Sequence, residues 1–378
     1  LTNLPPSATS YTATGLQAGH TYTFLVSSVD CVCFIQSIEN TEDVVGSSSP
    51  VSMAPDAPVT ISSTGGTLTS LSLQWASSFG ATGYNLDVSG DPAFSTKLAG
   101  YNNLSVSGTT QAVPGLSPAT QYYFRVRAVN SGGASPYVSG TSVTTALPPV
   151  ATNATATTGT SFTANWNTSA TATSYLLDVA SDIDFTNILT AYSNLAVAGN
   201  SQSVAGLSNG STYFYRVRAV NASGNSANSN TITITTVPGI PGVVTFSAVS
   251  ATGFQASWTP VPGATSYQVD VSGNAAFSNF AAGFHAAGVS SESITTSGLF
   301  PGIVYYVRLR AVNASGISGN SATYQQLLIP PAPSARASSG ATAVAFTANW
   351  IQALGATAYA IDVADNPGFN PTLPGYTG

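Results

Sequence analysis

The chain has 378 residues, too many for one core when a domain takes about 100–200, so two to four domains are expected. Its 43% hydrophobic and 10% aromatic content excludes disorder as the main state, and 8 Lys and Arg against 14 Asp and Glu, a net charge of -6, leave no basic stripe for phosphates or anionic lipid. Neither nucleic-acid binding nor membrane insertion is expected, because no apolar run approaches the roughly 18 residues of a spanning helix.

In chain order, Leu1 opens a stretch without the charged-then-apolar pattern of a secretory leader, which reads as a processed chain or a window on a longer one. A strand follows in HTYTFLVSSVD from His20, and after it the segment CVCFIQSIENTEDVVGSSSP. Cys31 and Cys33 cannot build a disulfide framework, and a bridge between residues two apart is strained, so packed or free thiols are expected. The same segment gathers Glu39, Glu42 and Asp43 beside Phe34, Ile35 and Ile38. An extended hairpin packing on the next unit is the plain expectation there, and contact with a partner the alternative.

Beyond this point the chain repeats. Trp75, Trp166, Trp258 and Trp350 are spaced by 91, 92 and 92 residues. Nine residues after each stands a tyrosine, Tyr84, Tyr175, Tyr267 and Tyr359, opening the alternating runs YNLDV, YLLDV, YQVDV and YAIDV, each read as a strand. A second run recurs as QYYFRVRAVN from Gln121, TYFYRVRAVN from Thr212 and VYYVRLRAVN from Val304, of which the His20 run is a degenerate form. Period-two alternation places Tyr122, Phe124, Val126 and Ala128 in a core and Tyr123, Arg125 and Arg127 outward. Clusters such as SGDP, SPAT, NSGG and NASG are turn formers, and no stretch carries a helical period. A unit of about 90 residues built this way predicts an all-β, two-sheet antiparallel sandwich repeated in tandem.

These residues resemble the fibronectin type III module, whose pattern has a tryptophan on strand B, a tyrosine on strand C and a leucine-to-tyrosine corner before strand F. Leu116, Pro118, Thr120 and Tyr122 match the corner in full, while Leu16 to Tyr22, Leu207 to Tyr213 and Leu299 to Tyr305 keep its step. The Asp-x-x-Phe turns, as in Asp91 to Phe94, and the RVRAVN strand are similar to repeats of large secreted or cell-surface proteins of Bacteroidota-type bacteria. The resemblance implies immunoglobulin-like sandwiches at 54–146, 147–237 and 238–330. It also implies a C-terminal half-module at 1–53 (strands E to G with a long F–G loop) and an N-terminal half at 331–378 (strands A to C′). The four tryptophans, the four strand-C tyrosines and the corner tyrosines Tyr22, Tyr122, Tyr213 and Tyr305 are then core. Short proline-bearing joins, TALPP, TTVPGIP and LIPPAP, predict stiff linkers between modules about 30 Å long. Both chain ends fall at one phase of the repeat, as expected of a window on a longer chain; the alternative is head-to-tail completion of a split module by another copy.

Six of the eight basic residues, Arg125, Arg127, Arg216, Arg218, Arg308 and Arg310, occupy the outward face of the second run. The resemblance sets strand C beside strand F, so Asp87, Asp178 and Asp270 are expected opposite them as surface ion pairs worth about 0.2–1 kcal/mol. A ligand-binding arginine patch is the alternative. His20 and His285 sit at unrelated phases and read as structural, and no nucleophile, phosphate-loop or dinucleotide motif occurs. The aspartates of DVASDIDF, Asp178 to Asp184, lack the glycine and terminal glutamate of a calcium loop. No catalytic residue, metal or cofactor is expected. Sequons at Asn103, Asn153, Asn167, Asn209, Asn221 and Asn313 leave glycosylation open.

The function expected is non-enzymatic: an extracellular stalk, spacer or filament of a surface or secreted protein, adhesive in one version. Its partners would be neighbouring modules or copies of itself, or a protein or glycan ligand. The alternatives are an accessory region of a secreted polysaccharide-degrading enzyme, and an adhesin that uses the 31–49 loop.

Overall fold

The computed structural model describes residues 4–5, 7–26, 46–47 and 49–376. Cys31, Cys33 and the segment carrying Phe34, Ile35, Ile38, Glu39, Glu42 and Asp43 lie outside the described residues. The fold is all-β, and every strand pairing is antiparallel. Within 54–146, Ser70–Trp75 is the middle of a three-stranded sheet between Ile61–Gly66 and Thr110–Pro114. The second sheet is built on Gln121–Asn130, which pairs with Gly83–Ser89 on one side and Val138–Val143 on the other. The same order recurs around Thr212–Asn221 and around Val304–Asn313.

Alternation in these long strands decides which side chains are enclosed. Tyr122, Phe124, Val126 and Ala128 are buried, while Tyr123, Arg125 and Arg127 are half-exposed. Tyr213, Tyr215, Val217 and Ala219, and then Tyr305, Val307, Leu309 and Ala311, repeat the pattern. Each module so encloses its own apolar cluster, centred on Trp75, Trp166 or Trp258. The tryptophan ring lies 5.6, 5.7 and 5.3 Å from that of Tyr84, Tyr175 and Tyr267 in turn. Burial of such aromatics dominates the stability of a small sandwich. The corner tyrosines each accept a backbone N–H five residues back: Tyr122 from Ser117 at 2.9 Å, Tyr213 from Ser208 at 3.0 Å and Tyr305 from Phe300 at 2.9 Å.

At the two ends the expectation of core residues fails. Trp350 is 41% exposed and Tyr359 38%, and Tyr359–Val363 forms no strand although its sequence is that of the other three runs. Among the described residues 331–376 hold one two-stranded sheet, Ser334–Ser339 with Thr347–Ile351, and no long strand for the tyrosine run to pair with. A ladder and a second apolar face are what convert such a run into a buried strand. Near the N-terminus Tyr22 is half-buried, although its hydroxyl still accepts the Gln17 N–H at 3.0 Å.

Candidate functional site

The charged side chains converge on the outer face of each five-stranded sheet. The register sets Arg125 opposite Asp87, Arg216 opposite Asp178 and Arg308 opposite Asp270. Arginine Nε reaches the aspartate Oδ2 at 2.8, 3.2 and 2.9 Å respectively. The second arginine of each strand differs more. Arg218 bonds Asp178 at 3.1 Å, Arg310 stands 3.8 Å from Asp270, and Arg127 donates instead to Asn103 Oδ1 at 3.2 Å.

These are not surface pairs. Asp87, Asp178 and Asp270 are 0%, 2% and 1% exposed, while the arginines keep about a quarter of their side-chain surface. The aspartates point outward from the sheet, as alternation requires, but a turn folds over them. Its backbone N–H, from Asn103, Asn194 or Ala286, donates to the other carboxylate oxygen at 2.6, 2.8 or 2.7 Å. A carboxylate with both oxygens engaged anchors the turn to the sheet. Removing the arginine that bonds it through Nε leaves each buried carboxylate with one weaker or second cation, Lys97 at 3.8 Å from Asp87, Arg218 at 3.1 Å from Asp178 or Arg310 at 3.8 Å from Asp270, at a cost of about 1–3 kcal/mol, still beyond the value of an exposed pair.

A phenylalanine completes each cluster. The guanidinium carbon of Arg125 lies 4.4 Å from the Phe94 ring centre, that of Arg216 4.0 Å from Phe185, and that of Arg308 4.1 Å from Phe277. Tyr137 covers the other side of Arg125 at 4.2 Å. The three phenylalanines have φ of 55°, 57° and 52°, a left-handed conformation that a bulky residue adopts only where its surroundings impose it. The imposing feature is the turn before it. Asp91 accepts N–H groups from Ala93, Ser95 and Thr96, and Asp182 accepts those of Thr186 and Asn187. The Thr96 N–H, with further help from the Ser95 N–H and the Ser89 hydroxyl, holds the Asp91 carboxyl down at about 2 against burial, and the corresponding bond from Thr186 lowers that of Asp182. Asn274 fills the same place in the third module, accepting from Ser278 at 3.2 Å, so the turn requires an acceptor and no charge.

The stacking role of the phenylalanine was not read from the sequence, although the signal is there: Phe94 to Arg125, Phe185 to Arg216 and Phe277 to Arg308 are all 31 residues apart. Other candidate groups stay apart. Asp178 is sealed under arginines and Asp182 holds its own turn, and among the described residues no group of three His, Cys, Asp or Glu is placed to hold a metal. His20 packs on Phe79 at 4.9 Å and His285 stacks on Phe280 at 4.1 Å.

The family model of the fibronectin type III domain matches residues 56–144, 147–235 and 239–326, and the chain belongs to that family. It is 36% identical over 138 residues to Chitinase A1 of Niallia circulans, covering 35% of this chain and 18% of that protein. It is 34% identical over 182 residues to Endoglucanase B of Cellulomonas fimi, covering 42% and 16%. The chain therefore spans less than a fifth of the length of either relative. Among solved structures, the chicken CNTN1 FN1-FN3 domains align at 17% identity with a TM-score of 0.29, over 73% of this chain and 99% of that one.

Proposed function

We propose that this chain is a non-catalytic spacer, a run of fibronectin type III modules that separates other parts of a secreted protein. The observation that carries this reading is that each module engages its charged groups internally. Asp87, Asp178 and Asp270 have both oxygens bonded within their own sheet and turn, and the facing arginines are stacked on the module's own phenylalanines. Such groups stabilise a fold and leave no activated nucleophile or base.

The setting favoured is a polysaccharide-degrading protein. Two relatives are named as a chitinase and an endoglucanase, and this chain matches only a small part of each, as an accessory segment would. An extracellular location belongs to the same reading.

The test uses the purified 378-residue chain. Incubation with chitin, cellulose and soluble oligosaccharides is expected to release no reducing ends, and the chain should stay in the supernatant when the polymers are sedimented. Small-angle scattering should give a constant cross-section, with a length growing by about 30 Å for each module added. Turnover of any of these substrates, or retention on the polymer, overturns the reading.

A further inference from the structure

We infer that neighbouring modules are locked together by a repeated joint, in which the asparagine closing each long strand grips the chain of the module before it. Asn130 Nδ2 donates to the Met53 carbonyl at 2.8 Å, Asn221 Nδ2 to Thr144 at 2.9 Å and Asn313 Nδ2 to Thr236 at 2.9 Å. The same asparagine keeps its own turn closed, its Oδ1 accepting the N–H of Gly132, Ser223 or Ser315. One amide therefore joins two modules through its two ends. Two residues on, the hydroxyls of Ser223 and Ser315 donate to the carbonyls of Val143 and Thr235. At the first joint Gly132 stands there, and a Cβ on it would overlap the Ser52 carbonyl.

The carbonyls that receive these bonds are themselves fixed. Thr144 and Thr236 are fully buried, and their hydroxyls donate to Ser117 and Ser208 of the corner that precedes their module's long strand. The grip thus ties the turn of one module to the frame of its neighbour, which a proline-bearing linker alone does not do. A freely jointed spacer would need none of these contacts, so the inference goes beyond the spacer reading and stands or falls apart from it.

A second contact sets the angle of the joint. At three joints a glycine of the corner meets a glycine of the turn after the tryptophan strand: Gly19 with Gly80, Gly210 with Gly263 and Gly302 with Gly355. A Cβ on Gly263 would lie 2.6 Å from Gly210 Cα, and one on Gly355 2.8 Å from Gly302 Cα, so the backbones touch. At the remaining joint, between 54–146 and 147–237, the positions hold Ala119 and Thr171, both with positive φ. Two side chains cannot occupy that contact, so this joint pivots about Asn221, whose Nδ2 also reaches Thr171 Oγ1 at 3.2 Å where Asn130 takes the Gly80 carbonyl at 2.9 Å. Three joints of the array carry the asparagine grip, and of these the one between 54–146 and 147–237 lacks the glycine contact.

The experiment measures residual dipolar couplings on the full chain and on Asn313→Asp, which keeps the turn acceptor and removes the donor. In the native chain one alignment tensor should fit 147–237 and 238–330 together. In Asn313→Asp each should need its own, and cleavage of the 236–243 segment by a protease should speed up roughly fivefold to tenfold, the population change expected of one lost hydrogen bond. Unchanged couplings of the Val307 and Leu309 amides relative to one another report that the module itself is intact. Should Asn313→Asp fail to fold, Ser315→Ala removes the neighbouring grip and is expected to give the same decoupling at smaller size. Two tensors in the native chain, or one common tensor in the folded variant, overturns the joint. For the angle, Ala119→Gly with Thr171→Gly should rotate 54–146 against 147–237 toward the arrangement of the glycine joints, and an unchanged orientation overturns that part.

Discussion

Residues 238–330 and 331–376 carry the same motifs and reach different states. Trp258 and Tyr267 are 6% and 3% exposed, whereas Trp350 and Tyr359 are 41% and 38% exposed. Yet the local geometry is shared. The rings lie 5.3 and 5.4 Å apart, the tyrosine hydroxyls accept an N–H six residues back at 2.9 and 2.8 Å, and the turn phenylalanines Phe277 and Phe369 have φ of 52° and 51°. The sequence within a few turns therefore dictates the tryptophan–tyrosine pair and the turn. Burial and the strand itself depend on the long strand opposite, which only the complete module has.

That difference makes the tryptophans the most sensitive probe. Trp258→Ala should cost about 3–5 kcal/mol and abolish the cooperative unfolding of its module, since it empties a packed site against Tyr267 and leaves the two sheets without their central contact. Trp350→Ala should cost about 1 kcal/mol or less, because the residue is already 41% exposed. Urea unfolding of the full chain, followed by circular dichroism, measures both; equal losses would mean that the two regions are packed alike.

The ion pair sharpens the comparison at the next level, because its arginine exists only where the long strand does. Arg308→Met removes the 2.9 Å bond to the buried Asp270 carboxylate, leaves only Arg310 at 3.8 Å to face it, and should cost about 2–3 kcal/mol. Asp270→Asn leaves Arg308 with a quarter of its side chain in solvent and an amide that still accepts the Ala286 N–H, and should cost only about 1 kcal/mol. The asymmetry is the signature of a buried anion held by a half-exposed cation. Denaturant midpoints that move equally would instead indicate a surface pair.

Period and sandwich were legible in the sequence because the same residues return at 91 and 92 and strand alternation assigns their faces, whereas the facing of aspartate and arginine followed from the resemblance, which sets strand C beside strand F. Alternation gives direction and not depth, so the burial of Asp87 could not be read: what covers it is the turn at Asn103 and the Arg125 guanidinium, itself stacked on Phe94. The exposure of Trp350 was missed for the converse reason, since an aromatic at a core position is buried only when its partner sheet arrives. Asn130, Asn221 and Asn313 close the recurring run, Asn221 and Asn313 standing out only as sequons, and their bonds run to carbonyls 77 residues earlier, a separation that no local pattern encodes.

The smallest expected effect distinguishes modules that otherwise match. Asp91 holds its turn with a carboxyl lowered from 3.8 to about 2, first by the Thr96 N–H, whereas Asn274 holds the corresponding turn with an amide that does not titrate. Because the folded form has the lower value, the contribution of Asp91 is fully present above pH 3.8 and is lost as the pH falls through about 2. The Thr96 amide shift should therefore titrate with a midpoint near 2, while the Ser278 amide stays flat over the same range. A midpoint at the ordinary aspartate value would mean that the N–H bonds to Asp91 do not favour its charged form, and that the turn is held by its backbone alone. Asp91→Asn should then remove the titration and leave the fold, since the third module already forms this turn with asparagine.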